Sequence, residues 1–162
     1  MDYIVLFLLW IIFLYTLRIA VPRDRLREAI AAFLFFHMLT WIFGIGLTYA
    51  GLLDAPIRLF KEATQISFTM EYLVFPTFAV LFQLRFPVQV GFIRRMMHYL
   101  FWVGSILAFM IIIDIFSSIM TVTWDNLVRS FFNFTIELWL CRQYVLWLFH
   151  SPDIKRLDTY ES

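Results

Sequence analysis

The residues able to do chemistry are a handful of ionisable groups set inside apolar runs. The stretch "NFTIELWLCRQYVLWLF", residues 133–149, carries Asn133, Glu137 and Arg142 where hydrocarbon would prefer leucine. His37, Glu71 and Asp114 sit in similar company, and Arg129 lies at the edge of a run. Inside a bilayer such groups are costly, about 2.5–3.5 kcal/mol at a helix centre for Arg, Lys or Asp, and they face protein or water-filled space. Two kinds of chemistry are open to them. Carboxylates and histidine can relay protons or guide a small cation, or the same groups can act as interhelical glue, worth about 0.6 kcal/mol per contact.

Spacing narrows the pairings. Arg129, Asn133 and Glu137 follow i, i+4, i+8, which stacks them along one slowly turning helix face. Arg142 comes five residues after Glu137, so the two point about 140° apart at 3.6 residues per turn. Each therefore needs a partner on another helix: by depth Arg129 is expected to meet Glu71, and Arg142 a carboxylate or carbonyl. Counting about 1.5 Å of rise per residue places Glu71 near the outer surface and Asp114 in the outer half. It puts Glu137 near mid-membrane, with His37 and Arg142 in the inner half. Desolvation favours the neutral form of an acid, and a protonated Glu137 would be both a hydrogen-bond donor and a relay member. Pro76, in "TMEYLVFP", cannot donate to the Tyr72 carbonyl and is expected to kink its helix there. A freed carbonyl beside Glu71 resembles the broken-helix sites that hold cations in transporters, whereas a kink that only shapes packing is the plainer reading.

Other chemistries lack their residues. His37, His98 and His150 could suggest haem, but by helical rise His37 sits about a dozen ångströms deeper than His98, and no Cys-x-x-Cys-His is present. The metalloprotease pattern His-Glu-x-x-His is missing, as is any Gly-x-Ser-x-Gly elbow. The single cysteine, Cys141, rules out disulfide scaffolds and multi-cysteine metal sites. No catalytic residue, metal site or cofactor is assigned, and no enzyme is expected.

Composition defines the elements that must position these groups. Apolar residues make up 62% and charged residues 15% of the 162, with a mean hydropathy of +0.81. Soluble domains carry nearer half and a quarter, so the chain is expected to be an integral membrane protein with the lipid bilayer as its partner. The net charge of +1 argues against nucleic acid, which calls for a basic face. A span needs about 20 mostly apolar residues, and five runs qualify: 3–21, 29–53, 67–84, 98–122 and 127–149. The first lacks a preceding basic residue and a small-residue cleavage site, so it reads as an anchor. Pro22 and the charged "PRDRLRE" end it.

Lys and Arg set the expected orientation. Arg18, Arg23, Arg25, Arg27, Arg85, Arg94, Arg95, Lys155 and Arg156 fall on one side, against Arg58, Lys61 and Arg129 on the other, nine against three. The expectation is an all-α bundle of five transmembrane helices, residues 1–162 forming a single membrane domain. The N-terminus lies outside and the tail, 150–162, in the cytoplasm. Trp124, Trp102 and Trp147 are placed at the interfaces, and Trp10, Trp41 and Trp139 between helices. Asp54 as a cap and Pro56 in a first turn start a short external helix, with Ile57, Phe60 and Thr64 on its apolar face. Gly44, Thr48 and Gly51, then Gly46 with Ala50, and Gly104 with Ala108 form small-residue seams where backbones can approach.

The segment "APIRLFKEATQISFTMEYLVFPTFAVLFQLRFP" carries Pro56, Arg58, Phe60, Ala63, Ser67, Phe68, Glu71, Tyr72, Pro76, Phe82 and Pro87. In this pattern, and in length and span order, the chain resembles a family of small uncharacterised multi-pass membrane proteins of spore-forming Firmicutes. The resemblance implies a bacterial cytoplasmic membrane and no particular activity. Two functions stay open. One is a structural or accessory subunit, working as a homo-oligomer or within a larger membrane complex; the other is a proton or small-cation channel or transporter using Glu71, Asp114 and Glu137. The absence of an internal repeat and the small loops incline toward the first.

Overall fold

The computed structural model describes residues 2–49, 68–87, 91–117 and 122–150. The expected external helix from Asp54, the seam residues Ala50 and Gly51, and the tail with Lys155 and Arg156 lie outside these residues. Among the described residues there are five α-helices and no strand: α1 (Asp2–Ala20), α2 (Leu26–Tyr49), α3 (Phe75–Leu84), α4 (Phe92–Phe116) and α5 (Trp124–His150). A 3-10 turn, Arg23–Arg25, precedes α2, and a π-helical turn, Met70–Val74, leads into α3.

Local chemistry fixes the ends. Pro22 takes an extended ψ of 150° after α1, and Gly91, with ψ 165°, opens α4. The helix α4 begins six residues before the expected span. Arg94 and Arg95 oppose burial in hydrocarbon, but an exposed helix turn tolerates them, and both are exposed. Two helices, Arg23–Leu47 and Phe92–Phe116, are long and apolar enough to cross a membrane; Ile4–Ala20 and Met70–Leu84 are shorter apolar helices.

The short helix α3 is the hub, touching each of the other four. A helix enclosed on all sides has no solvated face, and Pro76, Thr77, Ala79, Val80, Phe82 and Gln83 are all buried. The second helix packs on α3 and α5, and α4 on α5 and α3. The first leans on the π turn and α3 rather than on α2, its neighbour in sequence. Phe13 of α1 meets Phe78 and Phe109 at ring distances of 5.8 and 5.5 Å, and Phe75 meets Phe134 at 4.8 Å.

Polarity is distributed inside out. Thr40, Thr69, Glu71, Thr77, Gln83, Glu137 and Arg142 are buried, while Phe7, Ile11, Ile93, Phe101, Ile115, Phe132 and Ile136 are exposed. Two tryptophans exchange their expected places: Trp102 is 5% exposed and Trp139 is 52% exposed. Position along a helix does not fix which face a side chain presents; that is set by the helices packed around it. The seam glycines Gly46 and Gly104 have nothing within 4 Å of a built Cβ among the described residues, so these two face away from the described helices.

Candidate functional site: a carboxyl pair beneath a proline-broken turn

The site starts from what proline removes. In the π turn the Phe75 amide donates to the Met70 carbonyl, five residues back. In that register residue 76 would donate to the Glu71 carbonyl, and Pro76 has no N–H to give. The orphaned oxygen is therefore that of Glu71, one residue earlier than α-helical counting from Tyr72. A buried carbonyl needs a donor, and α2 supplies two. His37 Nδ1 lies 3.2 Å from it and Thr40 Oγ1 3.3 Å. A carbonyl only accepts, so His37 carries its proton on Nδ1 in this contact. The Thr40 hydroxyl also lies 3.0 Å from the His37 carbonyl and within reach of the Glu71 carboxyl. Downstream, Thr77 Oγ1 donates to the Leu73 carbonyl at 2.7 Å.

Aromatic rings hold this turn in place. His37 meets Tyr72 edge-on at 3.9 Å, Phe68 stacks on Tyr72 at 4.0 Å, and Trp10 stacks on Phe68 at 6.2 Å. Trp10 Nε1 donates to Thr69 Oγ1 at 3.2 Å, tying α1 to the same segment.

Glu71 is buried in this turn, and on α5 Glu137 is 0% exposed, within electrostatic range of the Glu71 carboxyl. Asn133 Nδ2 donates to Glu137 Oε1 at 2.9 Å, one turn earlier on α5. Glu137 Oε2 has no hydrogen-bond partner among the described residues. Among the described residues neither carboxyl forms an ion pair; the one salt bridge there joins Arg25 to Glu28. No three His, Cys, Asp or Glu side chains converge on a metal position among the described residues.

The arginines are elsewhere, which corrects the expected pairing of Arg129 with Glu71. Arg129 turns back along its own helix, with Nη2 2.7 Å from Asn126 Oδ1 and Nε 3.2 Å from the Asp125 carbonyl. Arg142, 8% exposed, sets its guanidinium 4.2 Å over the ring of Phe86, leaves Nε without a hydrogen bond, and sits in the field of Glu28. Asp114, near the C-terminal end of α4, joins neither cluster and has no hydrogen-bond or ion-pair partner among the described residues. The depth order also changes, because the His37 ring and the Glu71 backbone share one level. Counting rise from assumed span ends presumes helices of similar length, and α3 has only 10 residues.

A second polar cluster closes the end of the bundle where α1 meets α2 and α3 meets α4. Arg25 grips Glu28 through two nitrogens, both at 2.8 Å, and donates to the Leu84 carbonyl at 2.6 Å. Gln83 Nε2 donates to Glu28 Oε1 at 2.9 Å, and His98 Nε2 reaches the Phe82 carbonyl at 3.1 Å. These contacts clamp α2 and α4 onto α3. Sequence reasoning passed over Thr40, Glu28 and Gln83. Gln83 was detectable as a lone amide in an apolar run, and Glu28 as the i+3 partner of Arg25. Thr40 gave no sequence signal, since a threonine in a span is common.

The chain matches no protein-family model, no curated protein and no solved structure.

Proposed function

We propose that this chain is a small multi-pass protein of a bacterial cytoplasmic membrane, and that its Glu71–Glu137 pair takes up and releases a proton or small monovalent cation as part of a channel or transporter. In this reading all five helices cross the bilayer, with the N-terminus outside and the C-terminus in the cytoplasm. The exposed apolar faces and buried polar groups support the membrane assignment. Arg18, Arg23, Arg25, Arg85, Arg94 and Arg95 cluster at one end of the bundle, which supports that end as the cytoplasmic one.

A single observation carries the functional part: two buried acids from different elements lie within electrostatic range of each other, and neither forms an ion pair among the described residues. Glue does not call for this. Two buried carboxylates in each other's field repel when both are charged, which favours a proton or a cation on one of them. The unpartnered Glu137 Oε2 leaves a lone pair for such an ion. The backbone carbonyl of Glu71 is already occupied by α2, so the carboxyls and the Asn133 and Thr40 side chains would do the handling.

An accessory-subunit role is the second reading, favoured by the Arg25–Glu28–Gln83 clamp, which locks helix order without any ion. Proton and monovalent-cation flux into liposomes holding the purified protein separates the two. Flux above empty liposomes, lost in Glu137→Gln and in Glu71→Gln, is the expected result. The buried Cys141 thiol reports whether each variant stays folded, by its protection from a polar thiol reagent. Folded protein without flux would favour the accessory role and send the work toward a partner.

A further inference from the structure

The helices α1 and α2 are joined by a tight turn, the Arg25 amide donating to the Pro22 carbonyl at 3.1 Å, yet α1 rests on the π turn and α3. The two therefore diverge, and a groove of about 740 Å³ opens between them. That volume lies within the ~300–1,000 Å³ of ordinary ligand sites. Its walls are apolar, with Leu17, Ala29, Phe33 and Val80 inside and Ile30 and Leu34 at the open edge. Ile30 and Leu34 are exposed, so the groove communicates with whatever surrounds the bundle. At its mouth stand Arg18 and Arg23, both exposed and without a hydrogen bond or ion pair among the described residues. The nearby acid Glu28 is committed to Arg25 and Gln83.

We propose that this groove binds one anionic phospholipid, its phosphate between Arg18 and Arg23 and an acyl chain along Leu17, Ala29 and Phe33. The inference rests on the membrane reading above, and is independent of the carboxyl pair. The occupant follows from charge and shape together. Two unpaired guanidiniums at one end of an apolar channel complement a phosphate bearing a hydrocarbon tail. The opening beside exposed Ile30 and Leu34 faces the acyl region rather than water. A free phosphate would use the arginines and leave the apolar walls without a role.

The full chain, extracted from carbonate-washed membranes into detergent, is titrated with phosphatidylglycerol and phosphatidylcholine and read by native mass spectrometry. Phosphatidylglycerol should be retained at least tenfold better. The preference should fall about fivefold for each arginine lost in Arg18→Gln and Arg23→Gln, the worth of one basic residue at an anionic surface. Arg27→Gln, a control away from the groove, should keep it. Ile30→Trp, adding bulk at the open edge, should weaken phosphatidylglycerol binding with every charge intact. Equal retention of the two lipids overturns the proposal, as does a loss in Arg27→Gln matching that of the other two. Glycerol phosphate competing as well as intact lipid overturns the groove's part. A chain released by the carbonate wash would overturn the membrane reading itself, an outcome separate from absent lipid preference in washed membranes.

Discussion

Among the described residues, Glu137 is held by one hydrogen bond on one oxygen and by none on the other. That asymmetry sets the energetics of the residue. Removing the Asn133 amide would leave both oxygens unsatisfied in the core, at a cost of about 1–3 kcal/mol. Asn133→Leu is therefore expected to lower the unfolding free energy by that amount. The double variant Asn133→Leu with Glu137→Leu should recover most of it, because replacing both partners by apolar groups is nearly neutral. Chemical denaturation of the three proteins checks this. A double variant as unstable as the single one would mean that Glu137 has a partner besides Asn133. Arg142 shows the opposite strategy: with no carboxylate in contact among the described residues it uses the face of Phe86, a pairing that survives desolvation because the ring quadrupole needs no counter-charge.

The element that decides the site is the π turn. One extra residue in a helical turn rotates everything before it by about 100°, and here that rotation carries Phe68, Thr69 and Glu71 to their contacts. Proline stabilises the arrangement by removing the amide that an α-helical register would need. Pro76→Ala restores an N–H and improves helix propensity by about 3 kcal/mol. It also lets the turn relax to α-helix and lose the two donors on the Glu71 carbonyl, at about 1 kcal/mol each. The expected net is a stability equal to or about 1 kcal/mol above the parent, with ion flux abolished because Glu71 rotates away from Glu137. Thermal unfolding and the liposome assay, done on the same preparation, read both halves. A variant that conducts normally would show the turn to be incidental. Pro76 itself was legible in the sequence as a helix breaker. Which carbonyl it frees was not, because a π register and an α register differ by one residue and only packing against α2 and α5 chooses between them.

At the scale of the whole molecule, the apolar surface is the dominant fact. Its small-residue seams point away from the described helices at Gly46 and Gly104, leaving both open to a close backbone approach. Gly104→Ala meets no atom within 4 Å and gains helix propensity of about 1 kcal/mol. The variant is expected to be as stable as the parent or more so, with unchanged mass by light scattering in detergent. A loss of stability accompanied by a smaller particle would place a second copy against that face.

The sequence determined the all-helical class and the buried status of Glu71, Glu137 and Arg142, since these follow from apolar run length and the desolvation cost of a charge, while α4 starts six residues before the apolar run suggested. It also identified Asn133 and Glu137 as sharing a face, which is a matter of 3.6-residue geometry within one helix. Partnership across helices was decided only in three dimensions. Depth counted along the chain paired Arg129 with Glu71, while the short, central α3 and its π turn bring the Glu71 backbone to His37 and Thr40 instead. Rise per residue is a local property of the backbone; the level and rotation at which one helix meets another come from the packing of all five.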